Sequence, residues 1–349
     1  MAVKYESVLW NRHKKIYDRV LWLAIAVMCA SFIGLHLALN PMVTIETLII
    51  RTCSLVSIVL LHFILIIGPL CRLNTVFLPL LYNRRHLGVS MFLFAAIHGI
   101  FSIIQFHLLG DIHPIASIFL SNEHYNSISK FPFQILGFFA LIILFLMAAA
   151  SHDFWLKNLS PRVWKGLHMM VYVAYAMIIL HVALGVLQYE THPVYWVLLI
   201  TGFVMVSGIH LLSAYREWRR IRVQKFQLRG DNFFEVAAVD EIPENCGKGI
   251  WLEHENIALF RYGTQISAVN NVCKHQQGPL SEGQVVDGCI TCPWHGYQYR
   301  PEDGQSPPPF TEKIKTYQVK IWGNKVWVNP NPLPEGTFIE PAIIENNHE

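Results

Sequence analysis

The hydrophobic positions of residues 20–215 are gathered into six long runs. Each run has about 20 residues, which at about 1.5 Å per residue in a helix crosses the roughly 30 Å hydrocarbon layer of a membrane. Long helices buried in a soluble core are the alternative, which the succession of six such runs disfavours. We therefore predict an α-helical membrane bundle of six transmembrane helices. The runs are Val20–Leu39, Thr47–Leu70, Leu87–Leu109, Phe131–Ser151, Leu167–Leu187 and Val194–Tyr215.

After residue 225, apolar and polar residues alternate in short runs, a period typical of strands. Gly323-Asn324 joins two of these runs, which is a strong hairpin signal. We predict a small all-β domain behind the membrane bundle, and an exposed end without a pattern after Leu333. The predicted strands are Phe233–Val239, Gly249–His254, Ile257–Tyr262, Gln265–Asn270, Tyr317–Trp322 and Lys325–Val328.

These patterns divide the chain into five segments. Residues 1–19 form an N-terminal segment, 20–215 the membrane domain, 216–224 a basic linker, 225–331 the β-domain and 332–349 a C-terminal tail. The first apolar run is long and follows a polar, basic start. We therefore expect a retained helix there and no cleavable signal peptide.

Composition narrows the possible functions. The 349 residues are 53% hydrophobic and 15% charged, whereas soluble proteins carry about 25% charged residues. This apolar content excludes intrinsic disorder, and a net charge of +3 argues against a nucleic-acid partner. Seven cysteines are too few for a disulfide scaffold. The 17 histidines are a first hint of metal or haem.

The basic residues predict an orientation in the membrane. Lysines and arginines are concentrated in the N-terminal segment, in the second-to-third and fourth-to-fifth connections, and after the sixth run. The opposite loops offer Lys130, with Arg51 at the edge of a run. Because cytoplasmic loops are enriched in these residues, we expect both termini and the β-domain in the cytoplasm.

Two short Cys/His motifs stand in the β-domain. Cys273-Lys-His275 is separated by sixteen residues from Cys292-Pro-Trp-His295. Two thiolates and two imidazoles suit a structural zinc ion. They equally suit a [2Fe–2S] centre in which two cysteines bind one iron and two histidines the other.

The flanking residues distinguish the two possibilities. Gly278-Pro-Leu280 follows the first pair and Gly296-Tyr297 follows the second, and these motifs resemble the Rieske iron–sulfur family. The resemblance implies that Cys273 and Cys292 bind the inner iron, whereas His275 and His295 bind the solvent-facing iron.

The resemblance also indicates to which branch of the Rieske family this domain is most similar. Rieske proteins of cytochrome bc complexes carry an extra cysteine beside each pair, where this chain has Gly278 and Trp294. The site is therefore similar to the ferredoxin and oxygenase branch, with a potential toward about −150 mV. We expect Cys246 and Cys289 to be ordinary buried thiols.

Histidines also stand inside the apolar runs, where ionisable residues are costly and often functional. His98 lies in the third run, and His168 and His181 lie thirteen residues apart in the fifth. On one straight helix thirteen residues do not return to the same face. Spacing alone therefore leaves open whether both histidines are ligands or are satisfied by neighbouring helices. We expect structural roles for His36, His62 and His210.

The sequence around these histidines resembles the ferric reductase-like transmembrane domain. The motifs are Gly68-Pro-Leu-Cys-Arg72, Arg84-Arg-His-Leu-Gly88 with Ala96-Ile-His98, and Ser160-Pro-Arg-Val-Trp-Lys-Gly-Leu-His168 with Leu180-His181. This family includes NADPH oxidases, ferric reductases and the haem-binding membrane subunit of bacterial methionine sulfoxide reductase, the last being the most similar. The resemblance implies one or two b-type haems.

The resemblance also assigns ligands. His98 and His181 would bind a haem toward the outer side, and His168 would bind a second haem toward the cytoplasm. His86 is its candidate partner, because Arg84 occupies the position of a histidine in NADPH oxidases. Arg84 and Arg85 are expected beside the cofactor.

Together these features predict an electron-transfer oxidoreductase component of the bacterial plasma membrane. Ferric reductases and NADPH oxidases carry a flavin and nicotinamide module, whereas this chain has no G-x-G-x-x-G after a strand and carries the Rieske motifs instead. A cytoplasmic flavoprotein or ferredoxin reductase would supply electrons to the cluster. Haem would pass them to an outer partner enzyme, quinone, ferric chelate or oxygen. The alternatives are a Rieske-dependent membrane oxygenase and a membrane-anchored Rieske electron donor without haem.

Overall fold

The computed structural model describes residues 12–344 except 82, 153–154, 156–158, 160, 190–192, 224–227, 230–231, 276, 294–295 and 309. The chain divides into two compact units. One unit consists of residues 10–68 and 83–210, and the other consists mainly of residues 211–349, together with residues 69–82.

Helices account for the N-terminal two thirds of the chain. The long helices are α1 (Arg12–Leu39), α2 (Ile45–Leu73), α3 (Arg84–His107), α5 (Gln134–Ala150) and α9 (Pro193–Val223). The shorter helices are α4 (Pro114–Leu120), α6 (Pro161–Met169), α7 (Val171–Leu184) and α8 (Val186–Tyr189). Single 3-10 turns cover Thr75–Leu81 and Ile128–Lys130.

In the described part of the chain, five helical segments are long and apolar enough to cross a membrane. They correspond to five of the six apolar runs. The fourth run forms α5, a shorter apolar helix of 17 residues, at the lower limit of about 17 residues for a membrane span. The membrane character is therefore confirmed, whereas the sixth span stays a prediction.

The apolar side chains of these helices point largely outward. Leu23, Val27 and Leu35 of α1 are each more than half exposed. In a soluble protein such exposure would be costly, but in a membrane these side chains face lipid. The interior of the helical unit is built largely from α2, where Val56 and Leu61 are almost fully buried.

The fifth apolar run is interrupted. α6 ends at Met169 and α7 begins at Val171, with Met170 between them. Met170 itself keeps helical backbone angles, φ −62° and ψ −11°, so the interruption is confined to this one residue.

The C-terminal domain is built from antiparallel strands. The strands are β1 (Leu228–Arg229), β2 (Phe233–Ala238), β3 (Gly247–Leu252), β4 (Glu255–Tyr262), β5 (Gln265–Asn270), β6 (Gln284–Val286), β7 (Cys289–Thr291), β8 (Gln298–Tyr299), β9 (Thr316–Tyr317), β10 (Val319–Trp322), β11 (Lys325–Val328) and β12 (Ala342–Ile343). One sheet has the order β1-β2-β11-β10, the second β12-β5-β4-β3 with β9 also paired to β5, and the third β6-β7-β8. The predicted all-β domain is confirmed.

Most strand predictions agree closely with the structure, because alternation marks which side chains enter the core. Gln265–Asn270 and Lys325–Val328 have the predicted bounds. The predicted hairpin pairs Trp322 with Lys325. Gly323 adopts φ 60°, which a turn of two residues requires.

The expected exposed tail is wrong up to residue 344. Ala342 and Ile343 pair with β5, and the Ile344 amide donates to the Thr264 carbonyl at 2.7 Å. Ile344 also packs against the buried core of the domain. A strand of two residues is too short to show a period of two, so no pattern along the chain predicts it.

Candidate redox centres

Two tight loops bring Cys273 and Cys292 into one buried cluster of the β-domain. The Cys273 amide donates to the Gly278 carbonyl at 2.9 Å, and the Cys292 amide donates to the Tyr297 carbonyl at 2.7 Å. Gly296 has φ 73°, so the second loop depends on a residue without a side chain. Cys273 and Cys292 are 1% and 2% exposed. The backbone thus fixes the two predicted sulfur ligands in the interior.

His275 lies nearer the surface than the two cysteines. Its side chain is half-buried, and its ring stacks on Tyr297 with the centres 5.1 Å apart and the planes 10° apart. Tyr297 is held in turn by a hydrogen bond from its hydroxyl to Glu312. The fourth predicted ligand, His295, lies outside the described residues.

This arrangement fits a Rieske cluster. Buried sulfur ligands and a partly exposed imidazole agree with an inner and a solvent-facing iron. Among the residues that the structure describes, no group of three or more His, Cys, Asp or Glu side chains is placed to hold a metal ion. Three of the four predicted ligands are described, so the set itself stays a prediction.

Tyr299 is a site residue that the sequence analysis missed. Its hydroxyl lies 3.4 Å from Sγ of Cys273 and accepts a hydrogen bond from the Lys274 amide at 3.0 Å. Burial, and next the charge of Cys273, raise the pKa of this hydroxyl. It therefore stays protonated and can donate to the sulfur. Its place in β8, directly after the second motif, was the available signal.

Cys246 and Cys289 are the other thiols of this domain. Both are half-buried, and burial raises the pKa of each thiol. Their thiolates are disfavoured, which agrees with ordinary structural thiols.

In the helical unit, the imidazole rings of His98 and His181 lie next to each other in a T-shaped arrangement. Their centres are 6.3 Å apart and their planes are 84° apart. Two metal–imidazole bonds of about 2 Å, plus about 1 Å from each nitrogen to its ring centre, separate ring centres by about 6 Å. The distance between the ring centres is therefore compatible with one iron that both histidines would bind, such as the iron of haem.

In each of these two rings, Nδ1 lies within hydrogen-bond distance of a backbone carbonyl. Nδ1 of His98 lies 3.1 Å from the Ile50 carbonyl, and Nδ1 of His181 lies 2.9 Å from the Phe133 carbonyl. A carbonyl only accepts hydrogen bonds, so Nδ1 carries the hydrogen and Nε2 keeps its lone pair. This is the usual outer contact of a metal-binding histidine.

In three other membrane histidines, Nδ1 bonds to a different kind of partner. His62, His168 and His210 donate from Nδ1 to the carbonyl four residues earlier in their own helices. By contrast, the anchors of His98 and His181 come from segments 48 residues away. The bonds of His98 and His181 therefore position each ring relative to a distant segment of the chain. The Nδ1 bonds of the other three histidines are local contacts.

Gly137 of α5 provides room for the pair. A Cβ atom at this position would lie 2.7 Å from Cε1 of His181. Real Cβ atoms do not come so close to another heavy atom, so any side chain here would displace the ring. The sequence analysis did not identify this glycine.

His168 and His86, the other two predicted haem ligands, contact different groups of residues. His168 stacks on Trp164, with ring centres 3.9 Å apart, and its Nε2 lies 3.4 Å from the hydroxyl of Ser151. His86 instead contacts Asp18 of α1, with Nδ1 3.1 and 2.9 Å from the two carboxylate oxygens.

Arg84 and Arg85 differ in exposure. Arg84 is exposed, and its Nη1 lies 3.7 Å from where a Cβ of Gly68 would stand. Arg85 is half-buried. Their expected contact with a cofactor stays a prediction.

Two family models match the chain. The Rieske [2Fe-2S] domain matches residues 232–318, and the ferric reductase like transmembrane component matches residues 53–179. The first match includes all four predicted cluster ligands. The second includes His86, His98 and His168 and ends two residues before His181.

Curated relatives match the β-domain. The anthranilate 1,2-dioxygenase ferredoxin subunit of Burkholderia cepacia is 34% identical over 95 residues, which are 27% of this chain and 88% of that protein. The ferredoxin component of the naphthalene 1,2-dioxygenase system of Pseudomonas aeruginosa is 32% identical over 100 residues, 28% of this chain and 96% of that protein. A solved ferredoxin of carbazole 1,9a-dioxygenase from Nocardioides aromaticivorans IC177 is 21% identical and covers 29% of this chain and all of its own, with a TM-score of 0.28.

Proposed function

The chain belongs to the Rieske [2Fe–2S] family through its C-terminal domain, which follows a ferric reductase-like transmembrane domain, and on this basis we propose that it transfers electrons across a membrane. The proposed route leads from a cytoplasmic reductant, through the Rieske cluster and one or two b-type haems, to an acceptor on the outer side. The membrane is the bacterial plasma membrane, and both termini are cytoplasmic.

The observation that carries this proposal is the His98–His181 pair. Two imidazoles at 6.3 Å, each anchored through Nδ1, suit a redox centre within the helical unit. A helical domain that served only as an anchor would not need this pair. The Rieske family supplies a second one-electron centre in the same chain.

When bound, the cluster and haem supply one-electron chemistry, while the protein supplies ligands, a low-dielectric surround and fixed separations. Cys273 and Cys292 would hold the cluster from its buried side, and His275 and His295 from its exposed side. Tyr299 directs its hydroxyl at Cys273, and Tyr297 supports the His275 ring. His98 and His181 would hold a haem between α3 and α7.

A second haem would use His86 and His168. His86 lies twelve residues before His98, about 18 Å along a helix, and His168 lies thirteen before His181, about 20 Å. The two histidines are therefore displaced from the first pair by similar lengths, and both runs lead in the same predicted direction across the membrane.

The proposed electron route requires an electron donor and an electron acceptor. A flavoprotein or ferredoxin reductase is proposed as the donor, since a soluble Rieske domain offers its cluster to another protein. The acceptor is a partner enzyme, quinone, ferric chelate or oxygen on the outer side.

A membrane-anchored Rieske donor without haem is the second candidate. The ferredoxin names of the matched relatives favour it. A Rieske oxygenase finds less support, because its mononuclear iron needs two histidines and a carboxylate. No such group of side chains is placed to bind a metal within the described residues.

The proposal is tested with inverted membrane vesicles that contain trapped ferricyanide. Reductant is added outside, where the Rieske domain is expected, and loss of ferricyanide colour is followed. Wild-type vesicles should reduce the trapped ferricyanide, whereas His98→Ala and His181→Ala should lose most of this activity while keeping the cluster EPR signal.

His210→Ala is the matched control, because His210 is also a half-buried membrane histidine, but its Nδ1 bonds to its own helix and its Nε2 contacts the Tyr172 hydroxyl. It should behave like the wild type. If both the His98→Ala and His181→Ala vesicles still reduce ferricyanide at the wild-type rate, the haem route is wrong.

A further inference from the structure

The connection between α1 and α2 borders an open cavity of about 440 Å³. The cavity is lined by His36 and Leu39 at the end of α1, by residues 40–43 of the connection, and by Thr47 and Arg51 of α2. All of these residues belong to the helical unit. The volume lies within the range of about 300–1,000 Å³ that is typical of pockets for small molecules.

Two hydrogen bonds connect the α2 side of this cavity to α3, the helix of His98. Nε2 of Gln105 donates to the Thr47 hydroxyl at 2.9 Å. Nδ1 of His98 donates to the Ile50 carbonyl at 3.1 Å, and Ile50 directly precedes Arg51 in the chain. The cavity wall is therefore next in the chain to the carbonyl that orients a predicted haem ligand.

The lining residues suit an apolar ring that carries hydrogen-bond acceptors. Leu39 and residues 41–43 contribute apolar surface. Asn40 and Arg51 carry N–H donors, and the guanidinium of Arg51 has donors only. No aspartate or glutamate is among the lining residues, all of which the structure describes. The polar part of the lining therefore favours a ligand with oxygen acceptors.

His36 forms the α1 wall of the cavity. Its ring stacks on Phe32, with the centres 5.6 Å apart and the planes 8° apart. Its Nε2 is buried and has no hydrogen-bond partner in the part of the chain that the structure describes. A buried polar atom without a partner is costly. An oxygen-bearing ligand beside this ring would reduce that cost.

A quinone fits these features better than the other acceptors considered above. It combines a flat apolar ring with two carbonyl acceptors, and it reaches the cavity from the membrane. A ferric chelate with several carboxylates would favour several cations, whereas Arg51 is the single lysine or arginine among the lining residues, all of them described. Oxygen does not need a pocket of this volume. Leu39 and Met42 are largely exposed and offer apolar surface to a lipid tail.

We propose that the cavity between α1 and α2 binds the ring of a membrane quinone as the electron acceptor, and that Asn40 and Arg51 donate to its carbonyl oxygens. This inference rests on the proposed function, whose orientation puts the α1–α2 connection on the outer side. The quinone takes up two electrons, one at a time, from the haem of His98 and His181, and two protons from water. Each transfer oxidises a ferrous iron to the ferric state, and the quinone leaves as quinol.

The test is stopped-flow reoxidation of haem in the full-length protein purified in detergent. The protein is reduced with a stoichiometric amount of dithionite and mixed with decylubiquinone at increasing concentrations. The rate in the wild type should saturate, as expected for a bound complex. Arg51→Gln should raise the half-saturating concentration about tenfold or more, because it removes a hydrogen bond from a charged donor. Asn40→Leu should raise it about fivefold, because it removes a neutral one.

Lys130→Gln and Asn126→Leu are the matched controls. They remove a cation and an asparagine from exposed positions of another connection that is expected on the same side of the membrane. Both should saturate at the wild-type concentration of quinone. Haem content and haem absorbance are measured for all four variants, so that a loss of haem is separated from a loss of quinone binding.

A rate that does not saturate in the wild type, or an unchanged half-saturating concentration in either cavity variant, would show that the inference is wrong. Slower reoxidation by ferric citrate with unchanged reoxidation by quinone would also overturn it and would assign the cavity to an anionic chelate. If Arg51→Gln does not retain haem, the result for Asn40→Leu decides, because Asn40 is an exposed residue of the connection. These results leave the proposed function intact, whereas a wild-type protein without haem would overturn both.

Discussion

The hydroxyl of Tyr299 lies 3.4 Å from the Sγ atom of Cys273, and both side chains are almost fully buried. The Tyr299 oxygen already accepts a hydrogen bond from the Lys274 amide, so its own hydrogen is available to the sulfur. Hydrogen bonds to cluster sulfurs favour the reduced, more negative state and raise the reduction potential. Tyr299 is therefore expected to raise the potential above the low end suggested by the motifs alone.

Tyr299→Phe removes this hydrogen bond and should lower the cluster potential by tens of millivolts. One hydrogen bond contributes about 1 kcal/mol, and a tenfold change in a one-electron equilibrium, about 1.4 kcal/mol, corresponds to about 59 mV. EPR-monitored titration of the full-length protein measures the shift. Tyr262→Phe is the control, since the Tyr262 hydroxyl contacts Ser267 at 2.7 Å. An equal shift in both variants would rule out a specific effect of Tyr299.

Gly137→Ala should reduce the haem content of the membrane domain. The added Cβ would stand 2.7 Å from Cε1 of His181 and displace the ring. Overpacking of this kind costs about 1–3 kcal/mol. Haem per chain is measured from the pyridine haemochromogen. Gly208→Ala serves as the control, because nothing lies within 4 Å of its added Cβ. Normal haem content in Gly137→Ala would contradict the placement of His181.

Part of the fold and part of the candidate site can be predicted from the sequence. The cluster ligands stand in two short motifs, and the alternation of apolar residues located β4 and β5. His98 and His181 were identified through family resemblance, because their spacing alone did not show that they meet. Tyr299 and Gly137 were missed, since each acts on a residue that is brought close only by the fold.

The segment after residue 332 should stabilise the Rieske domain. It contributes β12, and the amides of Leu333 and Ile339 donate to the Thr316 and Glu302 carbonyls at 2.9 and 2.8 Å. Each such bond contributes roughly 1 kcal/mol. A chain ended after Asn331 should therefore lose its cluster absorbance at a lower temperature than the wild type.

A chain ended after Ile344 keeps these contacts and is the matched control. Both truncated proteins are compared in detergent, in the presence of the membrane domain. Equal loss temperatures for the shorter truncation and the wild type would mean that β12 adds no stability.

The most direct test of the central claim is the cofactor content of the purified full-length protein. Haem b is measured by pyridine haemochromogen and total iron by elemental analysis. We predict at least one haem per chain and two further irons, with the haem of His98 and His181 lost in His98→Ala and His181→Ala. Two irons without haem would contradict transmembrane electron transfer and leave a membrane-anchored Rieske protein.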